Sequence, residues 1–575
     1  MNRERSRSAG VEGPAIVLAL IVVMAVGYGA VWLAGALVGR PVKGVATALS
    51  VGRDFWWLAL ILLALVLGGV SALLVFVRRR TADRRERAAF RAKRGMGRTS
   101  DVQRVGGRRA VLKRAGALRP SLPSPKIGDV GYLEGHHNGK AVWSTVEDST
   151  LLLGPPRSGK GYFVVINRIL DAVGAVVTTS TRPDNLVVAM EARKSGGRPV
   201  VVFDPEGLAP GVEGGAKWSP VRGCEDARTA AVRARGFAAV GFPAEGENQI
   251  WQTIAASILR CLLHAAALEN RGARELYEWS LSPAGARDAV DILNSHPGAV
   301  PGWGAELEAV LEQDERTRES SWLGVRQSLS GLGDPRVLEA VSPGPGEGLD
   351  PVRLIRERGA LFMVGTAQGA VTSAGLITAL IEDIVQEAKQ IAAASPGSRV
   401  DPPVTLVLDE AANYPLPSLG QVMSEGGGSG IAAVAVLQSL AQARHKWGAD
   451  MAQAIWDSAT VKMVLGGSAN RETLQDISSL VGERDEVTTS TTRQSPLALS
   501  PSSTQDSMRR MPILTPDEVR QLPFGMALMM LRSAPPAMID LRPWTKRKDA
   551  QVLKESQGKL AQQIERAHSN APTLN

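Results

Sequence analysis

Two stretches of this chain carry no charged residue, Pro14 to Gly39 and Phe55 to Val77. Each exceeds the ~20 residues that an α-helix needs to cross a hydrocarbon core, so the pattern predicts two membrane-spanning helices. A cleaved signal peptide fits the first stretch less well, because a second span follows after a short connection. The triplet Arg78-Arg79-Arg80 and the basic run behind it put the end of the second span in the cytoplasm, and two spans return the N-terminus to that side. Residues 1–80 are therefore expected to form a transmembrane hairpin anchor.

Further on the pattern changes. Leu151 to Leu153, Ala175 to Thr178 and Pro199 to Phe203 are short, nearly continuous apolar runs, the signature of strands buried on both faces of a mostly parallel sheet. From Arg222 to about Ser342 such runs disappear and helical spacing takes over, with Ile250, Ile254, Ile258 and Leu262 beside Trp251, Ala255, Leu259 and Leu263. Strand-like runs resume at Ala360 to Val364, Val404 to Leu408, Ile431 to Leu437 and Val461 to Leu465. The expected organisation is an α/β domain in two parts, 128–221 and 346–545, interrupted by an all-α insertion at 222–345. A basic juxtamembrane linker at 81–127 precedes it and a polar tail at 546–575 follows. Thr488 to Ser507, rich in Ser, Thr and Pro, reads as an exposed loop, and Thr515-Pro516-Asp517-Glu518 as a capped helix start. Trp251 and Trp322 lie at helical spacing, where an aromatic belongs to a core more often than to a base-stacking surface.

Composition refines this picture. A hydrophobic content of 44% fits a folded protein with some membrane segment. The net charge of +9 is uneven: Arg78 to Arg114 holds 15 Lys/Arg against Asp83, Glu86 and Asp101, so the rest of the chain is slightly acidic. The basic run has two readings, attraction to anionic lipid headgroups or a nucleic-acid contact at a pore mouth. Phe90 alone interleaves it with an aromatic, which disfavours a base-stacking platform. Cys224 and Cys261 are too few and too distant in sequence for a zinc or disulfide framework, and the six histidines show no metal-binding spacing.

The chemistry begins where the first apolar run ends. Gly154-Pro155-Pro156-Arg157-Ser158-Gly159-Lys160-Gly161 joins a strand to a helix, the arrangement in which backbone N–H groups cradle a nucleotide's phosphates and a lysine neutralises them. Such loops usually continue with Ser or Thr, whose hydroxyl ligates magnesium; here Gly161 stands there. A metal must then rely on phosphate oxygens, waters and a carboxylate from elsewhere. The run Val404 to Leu408 ends in Asp409-Glu410, the Walker B pattern, with Asp409 expected on magnesium and Glu410 expected to activate water. Gln438 follows the run Ile431 to Leu437; if that strand lies between the other two, its amide reaches the terminal phosphate. Arg157 either contacts phosphate or lies on the loop's outer face.

Taken in order, these motifs resemble the type IV coupling proteins, the conjugative DNA-transfer ATPases of type IV secretion systems. The likeness rests on the two N-terminal spans, GPPRSGKG at 154–161, Thr181-Arg182-Pro183-Asp184, Val202-Phe203-Asp204-Pro205-Glu206-Gly207 and Trp218-Ser219-Pro220. It continues through LDEAANYPLP at 408–417, LQSLAQARHKWG at 437–448 and LGGSANRETLQDISSLVG at 465–482. The resemblance implies a RecA-like P-loop NTPase domain with an inserted all-α domain behind a transmembrane hairpin, assembled as a homo-hexamer at the bacterial inner membrane. It also implies ATP and Mg2+ as cofactors, and single-stranded DNA, a relaxase–DNA complex and channel components as partners. One departure is the turn Glu425-Gly426-Gly427-Gly428-Ser429-Gly430, where the family often carries an arginine; Arg444, Arg471 and Arg182 are the alternative candidates for a trans-acting arginine. Two rival readings are an FtsK-type duplex-DNA translocase and a membrane receptor that uses nucleotide only for assembly.

Overall fold

The computed structural model describes residues 28–54, 56–242, 248–366, 373–492 and 503–570. It divides into two units, Met1–Ala89 and Phe90–Asn575.

Within the first unit, the helix Trp56–Arg91 is uncharged from Trp56 to Val77. At 1.5 Å per residue that portion is roughly 33 Å long, and Trp57, Leu60, Ile61, Leu65, Leu73 and Phe76 on it are exposed. The other expected span falls partly outside the described residues, its later portion forming the apolar helix Tyr28–Leu37.

Among the described residues the second unit has thirteen strands: β1 (Gly131–His137), β2 (Lys140–Thr145), β3 (Thr150–Leu153), β4 (Val176–Ser180), β5 (Val200–Phe203), β6 (Ala360–Val364), β7 (Val404–Leu408), β8 (Ile431–Leu437), β9 (Val461–Leu465), β10 (Glu483–Thr492), β11 (Ser503–Pro512), β12 (Met526–Leu531) and β13 (Ala537–Asp540). Eleven form one sheet in the order β2-β1-β13-β12-β9-β3-β8-β7-β4-β6-β5. From β9 to β5 every pairing is parallel. These are the seven runs picked out by sequence, and β6, β7 and β8 are buried at every position. β12, β13, β1 and β2 extend the sheet antiparallel at one edge. That edge was not foreseen because its polar residues are buried in pairs. Glu134 on β1 binds Arg168 at 2.5 Å, and His137 Nδ1 lies 2.8 Å from the Met538 carbonyl oxygen.

Among the described residues from Ala227 to Ala340, where the insertion is expected, every regular element is helical. Its longest helix, Asn248–Leu268, is long and apolar enough to cross a membrane by composition. It instead buries Ala255, Ile258, Leu259, Leu262 and Leu263 in the insertion's core. Trp322 is fully buried and its Nε1 donates to the Ser280 carbonyl at 2.9 Å, so it is a core residue. The insertion is fastened by packing of Ala227–Gly241 on Ala374–Ala393, where a Cβ on Gly236 would lie 2.7 Å from Ala379 Cα, and by the buried ion pair Arg233–Asp383 at 2.8 Å.

Three regions differ from expectation. The basic linker is folded into this unit from Phe90 onward: Val102, Val111 and Leu118 are buried, Arg91 binds Asp540 and Lys93 binds Glu518. The two ends of the Ser/Thr-rich stretch, 488–492 and 503–507, belong to the antiparallel ribbon β10–β11, in which Asp485 faces Arg510 and Glu486 faces Arg509; residues 493–502 lie outside the described residues. The tail contains the helix Ala550–Asn570, which buries Leu553, Leu560 and Ile564; those three apolar residues make a stripe too narrow to stand out among polar neighbours.

Candidate nucleotide site

The glycine-rich loop starts level with the end of β8, where the Gly154 N–H donates to the Leu437 carbonyl at 3.0 Å. It closes through Ser158, whose hydroxyl donates to the Pro155 carbonyl at 2.8 Å. Gly159 sits at φ +88°, and a Cβ there would lie 2.7 Å from the Phe163 ring, so both backbone and space demand glycine. A single π-helical turn, Gly161–Val165, then leads into the helix Ile166–Asp171. Arg157, at φ +64°, is exposed, next to the exposed Pro156.

Lys160 is folded back on its own loop, donating from Nζ to the carbonyls of Gly154 at 2.9 Å and Pro155 at 3.2 Å. Burial lowers its pKa, while the negative charges of Asp409 and Glu410 act to raise it. The lysine and the acid pair, far apart in sequence, thus share one electrostatic environment. Sheet order explains how: β8 lies between β3 and β7, so the loop after β3, Gln438 after β8 and Asp409-Glu410 after β7 emerge side by side. This is the carboxyl edge of a parallel sheet, where ligands of such folds bind. The condition set for Gln438 is therefore met. Its side-chain amide makes no hydrogen bond among the described residues, its backbone N–H donating to Gln442 Oε1 at 3.3 Å.

The acids are held by partners to which sequence reasoning gave no role at the site. Asn185 Nδ2 donates to Asp409 Oδ2 at 3.1 Å and Thr179 Oγ1 to the Asp409 carbonyl at 3.0 Å. Burial pushes the Asp409 carboxyl above its ordinary range, the Asn185 hydrogen bond and Lys160 opposing this. Glu410 occupies a left-handed backbone conformation, φ +54° and ψ +50°, uncommon for a residue with a Cβ and frequent at functional sites. Its Oε2 accepts from Asn413 Nδ2 at 2.9 Å and Thr181 Oγ1 at 3.2 Å. Thr181 and Asn185 follow β4, the strand next to β7, and only knowledge of that adjacency could have flagged them.

Among the described residues no group of three or more His, Cys, Asp or Glu side chains could hold a metal. One carboxylate beside a phosphate cradle nevertheless suits magnesium, which keeps several waters and takes its remaining oxygens from phosphate. Of the three candidate trans-acting arginines, Arg444 is tied to Glu472 at 2.5 Å and Asp476 at 3.0 Å within its own chain. Arg182 and Arg471 are exposed. Cys224 and Cys261 are free and buried, and burial pushes both thiols up to about 12, so neither offers a reactive thiolate.

Two family models match the chain. "Type IV secretory system Conjugative DNA transfer" covers residues 111–278, and "TraM recognition site of TraD and TraG" covers residues 403–524. No curated protein matches it. Among solved structures, the bacterial conjugative coupling protein TrwBdeltaN70 in its unbound monoclinic form is 19% identical, with 71% of this chain and 88% of that chain covered and a TM-score of 0.52. The trigonal form of the same protein in complex with sulphate is 19% identical, covering 69% and 86% with a TM-score of 0.50. At these identities the likeness speaks for the shared fold, a mixed sheet interrupted by helices. The family matches span the phosphate loop, the start of the insertion and the strand carrying the acid pair, and on them the chain belongs to the type IV coupling protein family.

Proposed function

We propose that this chain is a membrane-anchored ATPase that recruits single-stranded DNA, or a relaxase–DNA complex, and drives its transfer into a type IV secretion channel. The observation that carries the reading is the shared environment of Lys160, Asp409 and Glu410 at the carboxyl edge of the parallel sheet. The loop from Gly154 to Gly161 cradles phosphates with its backbone N–H groups. Lys160 exchanges its two carbonyl partners for the β and γ phosphates, and Asp409 holds the metal. Magnesium held by Asp409 would supply positive charge against the charge that develops on the phosphate oxygens. Glu410, steadied by Asn413 and Thr181, orients the attacking water and accepts its proton. Gln438 touches the terminal phosphate and reports its loss.

The uncharged helical stretch Trp56 to Val77 with its exposed apolar side chains supports anchoring in the bacterial inner membrane, and with Tyr28–Leu37 it supports a hairpin with both ends cytoplasmic. The arginines from Arg78 to Arg87 then face anionic lipid headgroups. The family, and the description of one matching family model as a TraM recognition site, support partners drawn from the DNA-processing complex and the channel, with a homo-hexamer as the working assembly. The test is ATP turnover by the full-length protein in detergent with single-stranded DNA, duplex DNA and no DNA. Stimulation by single strands is expected. Stimulation by duplex alone would favour an FtsK-type translocase, and no stimulation by either would favour a receptor without motor activity.

A further inference from the structure

The loop lacks the hydroxyl that usually follows its lysine, and the structure shows what stands in that space. A Cβ built on Gly161 has one neighbour within 4 Å, the Asn185 side-chain oxygen at 3.6 Å. Asn185 is 3% exposed and lies in the first turn of the helix Asp184–Lys194. Its Nδ2 donates to Asp409 Oδ2. A carboxylate only accepts, so this bond fixes the amide's orientation and turns Oδ1 away from Asp409. Oδ1 accepts no hydrogen bond among the described residues, and it is not among the side-chain atoms sealed from solvent without a partner, so it is open to a ligand.

We infer that the Asn185 side-chain oxygen replaces the missing loop hydroxyl as the second protein donor to the magnesium site, beside Asp409. The inference rests on reading this site as one for nucleotide and metal. An amide oxygen is a neutral hard oxygen donor, as a serine hydroxyl is, and hard divalent cations take oxygen ligands. The exchange also fits Gly161: a Cβ there would lie in ordinary contact with that oxygen, so a side chain at 161 and Asn185 share one space. Sequence alone could not reveal it, because positions 161 and 185 meet only through the neighbouring ends of the sheet's strands.

The test measures affinity for a fluorescent ATP analogue with magnesium and with chelator, on full-length protein carrying Asn185→Ala, Gly161→Ser, or both. For Asn185→Ala, the gain in affinity that magnesium gives falls about tenfold, the lower end of the effect of removing a group that supports a metal site, while chelated affinity is unchanged. Gly161→Ser in that background restores the gain, which a role confined to pinning Asp409 would not allow, since a serine at 161 cannot rebuild that bond. Equal weakening with and without magnesium, an intact magnesium gain, or no rescue by Gly161→Ser overturns the inference. If Asn185→Ala does not fold, Asn185→Asp alone replaces it, with magnesium gain at or above wild type expected and a loss contradicting. Failure of the parent reading looks different: the wild type would bind the analogue no better than a protein without a phosphate loop, or Lys160→Ala would bind it as tightly as the wild type.

Discussion

Replacing Glu410 by Gln separates hydrolysis from binding. Oε2 accepts from Asn413 and Thr181, and a glutamine oxygen can accept both bonds in the same place. The left-handed backbone at 410 costs glutamine about what it costs glutamate, so folding should change by no more than about 0.5 kcal/mol. What disappears is the base. General-base catalysis contributes ~10²–10⁴ in rate, or roughly 3–5 kcal/mol at about 1.36 kcal/mol per tenfold. Affinity should hold or rise, because the substitution removes a negative charge from the environment of Lys160, where phosphates would bind. Phosphate release under saturating ATP measures the first quantity and titration with a fluorescent nucleotide the second. Turnover within about threefold of wild type would refute the assignment of Glu410.

Three further substitutions probe other links. Lys160→Ala should abolish both nucleotide binding and turnover; retained affinity in the titration would show that the phosphates lie elsewhere. Asp409→Asn should raise the melting temperature of the nucleotide-free protein while abolishing magnesium-dependent binding. The carboxyl's folded pKa is raised, so between the unfolded and folded values the folded state holds more protons than the unfolded one; stability there falls as pH rises, and the variant should lose that slope. A melting curve in which Asp409→Asn is less stable than wild type above that window would contradict this. Leu553→Ala, in the carboxyl-terminal helix, should cost about 2–3 kcal/mol as a buried leucine deletion, read by chemical denaturation. No loss would mean the helix is undocked.

The parallel half of the sheet was legible because strands covered on both faces must be apolar at every position, and Val404 to Leu408 or Ile431 to Leu437 can hardly be read otherwise. β1 was not legible: its Glu134 is acceptable inside only because Arg168 arrives from the helix after the phosphate loop, a long-range fact. The ribbon β10–β11 was hidden likewise, since Ser and Thr runs are loop-like until a second strand supplies hydrogen-bond partners. At the site, Lys160, Asp409, Glu410 and Gln438 announced themselves by position at strand ends. Thr181 stood in a quoted motif and Asn185 in none, but neither revealed its role, because polar residues after a strand gain meaning only from the strand beside it, here β7 beside β4.

The most direct test of the central claim is a structure of this protein with a non-hydrolysable ATP analogue and magnesium. The account predicts the phosphates on the loop Gly154 to Gly161, Lys160 Nζ released from the Gly154 and Pro155 carbonyls onto the β and γ phosphates, and the metal against Asp409. A triphosphate bound anywhere that leaves Lys160 on those carbonyls, or a metal remote from Asp409, would contradict it.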